Sequence, residues 1–87
     1  MEEKLQAARP DFIEKVSYPV LDHLLEELLA RGVINAAEAE ATKVKPRPDK
    51  AKDILDMMQK KGPEACSAMV AIFASDDPFL CNEFGLM

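Results

Sequence analysis

The sequence predicts an all-α fold of six short, antiparallel-leaning helices, and three observations carry that expectation. Apolar residues recur at i, i+3, i+4 and i+7 through most of the chain, and no segment alternates with period two long enough to make a strand. Gly32, Gly62 and Gly85, together with prolines at first-turn positions, stop and restart the helical pattern. Finally, 87 residues that are 48% hydrophobic with only three glycines suit one compact domain over residues 1–87. That is near the size at which a hydrophobic core suffices without disulfides or metals.

Glu2 to Val16 places Leu5, Ala8, Phe12, Ile13 and Val16 at helical spacing. Pro10 lies inside this pattern; its missing N–H and its ring predict a kink or break near Arg9–Pro10, leaving two helical pieces. Ser17-Tyr18-Pro19 then forms a boundary, with Ser17 as a candidate cap. The strongest amphipathic signal follows in PVLDHLLEELLARGV, residues 19–33. There Leu21, Leu24, Leu25, Leu28 and Leu29 form one apolar arc, while Asp22, His23, Glu26 and Glu27 take the other side.

Asn35 and Glu38 have capping-box spacing and open an alanine-rich third helix, NAAEAEATKV. Lys45-Pro46-Arg47-Pro48 is expected to be non-helical, because each proline biases its predecessor away from the α region. Pro48 then starts a fourth helix with Ala51, Ile54, Leu55 and Met58 inward and Lys52, Asp56 and Lys60 outward. Asp56 and Lys60 have the spacing of a favourable i,i+4 pair. Gly62-Pro63-Glu64 separates this helix from a fifth that is apolar nearly all round, at Ala65, Cys66, Met69, Val70, Ile72 and Phe73, and is therefore the most buried. Asp77-Pro78 caps a short sixth helix that Gly85 ends.

Composition excludes several functions. A net charge of −5 and a pI near 4.8 argue against binding a phosphate backbone. A helix-turn-helix reader needs a contiguous basic helix, whereas the fourth helix alternates Lys and Asp, so no nucleic-acid partner is expected. No apolar run approaches a membrane span of about 20 residues. The charged start MEEKLQAARPDF has no signal-peptide core, so the expectation is a cytoplasmic protein with no membrane partner. Cys66 and Cys81 stand apart without metal or redox spacing and read as reduced, buried thiols. One histidine, His23, cannot build a metal site, and no phosphate loop, HExxH or nucleophile elbow is present. No catalytic residue, metal, cofactor or small-molecule ligand is expected. What remains is an uneven charge distribution, with acid at residues 22–27 and 38–40 and base at residues 43–52 and 60–61. Such faces hold a copy of the chain, or a relative, only when several pairs act together.

The stretches LLEELLARGVIN, DKAKDILDMMQKKGPEAC and DDPFLCNEFGL resemble, in that order, a caspase recruitment domain (CARD) of the death-fold superfamily. The likeness spans essentially the whole chain, and the closing stretch is most similar to prodomains of inflammatory caspases and their CARD-only relatives. The resemblance implies a six-helix Greek-key bundle with a bent first helix and no catalytic activity of its own. It implies homotypic assembly with other CARD-containing proteins (adaptor, sensor or caspase) and with itself. An acidic surface on the second and third helices, carried over to Asp22, Glu26, Glu27, Glu38 and Glu40, would meet a basic surface on the first and fourth. The basic positions that match are Arg9, Lys15, Lys50 and Lys52. Contacts between two different surfaces propagate into open helical filaments unless they close. Glu14 stands where relatives often carry a base, which thins the basic side and leaves a second role open: a decoy or one-sided partner that caps assembly. A protease lying beyond residue 87 would instead make the chain a caspase prodomain.

Overall fold

Side-chain caps open two of the helices, the third and the sixth, in the computed structural model, which describes residues 1–87, whereas Ser17 begins the second without a side-chain capping bond. The elements are α1 (Glu2–Lys15), α2 (Tyr18–Ala30), α3 (Ala36–Lys43), α4 (Arg47–Lys61), α5 (Pro63–Asp76) and α6 (Pro78–Glu83), with no strand. Asn35 and Glu38 form the expected capping box: the Glu38 N–H donates to Asn35 Oδ1 at 2.8 Å and the Asn35 N–H to Glu38 Oε1 at 2.9 Å. Asp77 caps α6 through Leu80 N–H at 3.0 Å. Gly62 is at once the C-cap of α4 and the N-cap of α5, at φ 107°, where an L side chain would be strained.

Two boundaries differ from expectation. First, α1 runs through Pro10 as one helix rather than two pieces. Pro10 and Gln6, whose carbonyl loses its i+4 donor, are both on the exposed side, where water can take the freed acceptor. Second, α4 starts at Arg47, one residue before Pro48, although a residue preceding proline disfavours the α region. Its compensation is tertiary: the Arg47 N–H donates to the Tyr18 hydroxyl at 2.7 Å.

The helices do not simply zigzag. The α1 backbone lies close to α4 and α5 rather than to α2; α5 also covers α2 and carries α6, and α3 sits across α2 and α4. This non-sequential pairing agrees with the six-helix Greek-key bundle that the resemblance implies. At its centre, Phe12 of α1 meets Phe73 of α5 edge-on, with ring centroids 5.3 Å apart, and Phe84 stacks on Phe73 at 6.0 Å. All six apolar positions expected inward on α5 are buried, as are the four on α4. Cys66 and Cys81 are free and buried, and desolvation pushes both thiols above their ordinary pKa, the setting of packing residues rather than nucleophiles. Leu29 is the exception on α2. The other four leucines of the arc are buried, but Leu29 is 40% exposed beside α3.

Candidate protein-interaction surfaces

The charged side chains expected to face partners divide into those already paired within the domain and those left free. On the basic side, Arg9 Nη1 contacts Asp56 Oδ1 at 2.8 Å, and Lys15 Nζ contacts Glu83 at 3.2 Å. Asp56 thus bridges α4 to α1 instead of pairing with Lys60 along its own helix. The hydrogen bond to Glu83, and then its charge, raise the Lys15 pKa. Lys50 has a different fate. It is 3% exposed, its ammonium donates to Asp22 Oδ1 at 2.6 Å, and it lies 5.0 Å from the centre of the Tyr18 ring. Two residues expected on opposite surfaces, Lys50 and Asp22, are therefore each other's partner. Lys52 alone of the four expected bases is exposed and unpaired.

The acidic side is less committed. Glu26 and Glu40 are exposed with no ion-pair partner. Glu27 faces Arg31 one turn on at 3.7 Å, a long and exposed pair of little consequence. Glu38, like Asp22, is committed: it holds Lys61 at 3.1 Å as well as its capping bond, and those interactions, the backbone bond first, keep its carboxyl below the usual range. Between α2 and α3 lies a shallow depression of about 170 Å³, floored by Leu25, Leu29, Ala36 and Ala39 and rimmed by Asp22, Glu26, Glu40 and Lys43. The leucine left out of the core thus supplies apolar floor beneath an acidic rim.

Two side chains escaped the sequence pattern because their partners are remote in the chain. Arg47 sends its guanidinium Nη1–H toward the carbonyls of Ile13 (2.6 Å) and Val16 (3.1 Å), satisfying acceptors that the end of α1 leaves without helical donors. With the Tyr18 hydroxyl on its N–H, Arg47 ties the end of α1, the start of α2 and the start of α4 into one junction. His23, read as a plain solvent-side residue, is exposed but has Nδ1 2.5 Å from Asp76 Oδ2, joining α2 to the end of α5. That hydrogen bond raises the His23 pKa above its ordinary 6.5. No group of three or more His, Cys, Asp or Glu side chains is placed to hold a metal ion, and no helix is long and apolar enough to cross a membrane.

What the fold offers is therefore an array of charged helix faces over a filled core. The caspase recruitment domain family model matches residues 2–86. The chain belongs to the caspase recruitment domain family. It is a protein-interaction module of the death fold. Among its relatives, caspase-1 of mouse is 36% identical over 80 residues, covering 90% of this chain and 20% of the caspase. The putative caspase recruitment domain-containing protein 17P of human is 32% identical over 84 residues, covering 94% of this chain and 76% of that protein. Caspase recruitment domain-containing protein 16 of human is 30% identical, covering 94% and 43%. The chain thus spans about one fifth of the length of the caspase-1 relatives. No solved structure matches it.

Proposed function

We propose that this domain recruits other caspase recruitment domains, caspase-1 or a CARD-only relative among them, through the acidic surface of α2 and α3, in cytoplasmic inflammatory signalling. The observation that carries this reading is the asymmetry of the free charges. Glu26 and Glu40 are exposed and unpaired over an apolar floor, so a basic partner need break no internal bond to reach them. Neither nucleic acid, membrane nor a small-molecule ligand is part of the proposal.

A second role is favoured by the same asymmetry. Open filaments need both surfaces of every copy. Here Arg9 and Lys15 are each held by an internal carboxylate and Lys50 is buried, so of the four bases expected on that face only Lys52 is ready, with Lys4 and Lys60 exposed at its margins. A domain that accepts a basic neighbour but presents a weak basic face of its own ends a filament rather than extending it, as a decoy does. Light scattering across a concentration series at low and high salt, alone and with the matching region of mouse caspase-1, tests both roles. Recruitment predicts salt-sensitive complex formation with the caspase region. Capping predicts that substoichiometric amounts shorten that region's assemblies, whereas growth of large species from this domain alone rejects capping. No complex at any salt concentration rejects recruitment.

A further inference from the structure

The third helix is short, yet its charges are segregated along its length: Glu38 and Glu40 in its middle, Lys43 at its end and Lys45 just beyond. Glu38 and Lys45 are consumed within the domain, by Lys61 at 3.1 Å and Asp53 at 3.3 Å. Glu40 and Lys43 are left, opposite in sign, both exposed, both unpaired, and both on the rim of the α2–α3 depression. The next residue, Val44, is 84% exposed, the most exposed of the large apolar side chains. Among them it alone has a lysine on each side. Phe79, 76% exposed, follows Asp76-Asp77-Pro78 and would bring acid to an acidic rim.

From this arrangement we infer that two copies of the chain pair through α3, antiparallel across a two-fold axis, with Val44 of each seated on the Leu29–Ala36–Ala39 floor of the other. Val44 follows directly on Lys43, a rim residue of the depression, so knob and groove belong to the same helix, as an isologous contact requires. Antiparallel placement about the middle of α3 sets the acids of each copy against the basic end of its partner, so Glu40 of each copy meets Lys43 of the other in two reciprocal pairs. The depression, about 170 Å³, has room for a valine side chain, and an apolar cavity of about 150 Å³ accommodates benzene. Size would therefore admit Phe79 as well; charge selects Val44. The pairing closes on itself and covers Glu26 and Glu40. Resting on the recruitment surface proposed above, it makes the dimer a reserve form that a basic partner domain must open.

Sedimentation velocity of the purified chain over a concentration series tests the pairing independently of recruitment. Wild type is expected to pass from monomer to dimer and stop there. Glu40→Lys should weaken the dimer about tenfold or more, because the symmetry counts each substitution twice and sets lysines against each other. The double variant Glu40→Lys/Lys43→Glu should restore it, since a two-fold axis again pairs opposite charges. Val44→Ser, a change at a solvent-exposed site, should weaken the dimer with unchanged helicity. As a geometric check, mixing a Leu29→Cys chain with a Val44→Cys chain under mild oxidation should give a cross-linked heterodimer faster than either chain alone, because Cys66 and Cys81 are both buried. A monomeric wild type, a double variant no better than the single one, or absence of the cross-link overturns the pairing. Binding to the mouse caspase-1 region, measured on Lys43→Glu, separates the two ideas. Retained or tightened binding leaves recruitment standing whatever the dimer does.

Discussion

The acidic and basic sides of this domain are built from similar numbers of charged residues but spend them differently. Around α1 and α4 the cations hold the fold together: Arg9 bridges to Asp56, Arg47 caps α1, and Lys50 lies buried against Tyr18 and Asp22. Over α2 and α3 the carboxylates Glu26 and Glu40 touch no cation, and the surface beneath them is apolar. A count of charges in the sequence does not say which of them are free. Pairing makes one face structural and the other available.

The comparison can be broken at several strengths. The largest effect is expected beneath the acidic face: Leu25 is 3% exposed, and Leu25→Ala should cost about 2–5 kcal/mol of stability in urea unfolding, with loss of binding as a consequence. Next, Arg47→Ala removes two charge-assisted hydrogen bonds to α1 carbonyls and should cost about 2–3 kcal/mol. Arg47→Lys should recover only part of this, because both bonds come from Nη1 and the shorter lysine side chain ends before that position.

Lys50→Ala should cost less, about 1–2 kcal/mol. Breaking a buried pair usually costs about 3–5 kcal/mol, but the Asp22 side chain is 41% exposed and water can solvate it once the ammonium is gone. The same variant releases Asp22 to the acidic face, so it should bind a basic partner at least as tightly as wild type despite its lower stability. Weaker binding would mean that Lys50 belongs to the contact surface after all.

The smallest effect concerns pH. His23 is raised above its ordinary 6.5 mainly by its hydrogen bond to Asp76. A raised folded-state pKa gives stabilisation that is complete below 6.5 and lost as pH climbs through the folded value. Wild type should therefore melt at a slightly lower temperature above that value than below 6.5, while His23→Gln should lose this component of the pH dependence.

Much of the fold was legible because it is written locally. The Asn35–Glu38 box, the Asp77 cap and the inner stripes of α4 and α5 depend on residues a few positions apart, and each is found where periodicity and capping rules put it. The misreadings share an opposite cause. Leu29 belongs to the leucine arc, but the arc is wider than the strip α2 buries, and only α3's position decides which edge stays open. Arg47 starts a helix against the bias of Pro48 because a hydroxyl 29 residues away receives its N–H. Lys50 and Asp22 lie 28 residues apart, and no local pattern announces that they neutralise one another. The candidate surface was thus readable as a set of residues, and its balance was not, because pairing across helices is settled by packing.

The most direct test is calorimetric titration of the domain with the matching region of mouse caspase-1, using wild type and Glu26→Arg at low and high salt. Glu26 is exposed and unpaired, so its replacement should leave the melting temperature nearly unchanged, within about 0.5 kcal/mol of stability. Recruitment through α2 and α3 predicts salt-sensitive binding by wild type and its loss in Glu26→Arg. Equal binding by both proteins would contradict it and move the contact to another face.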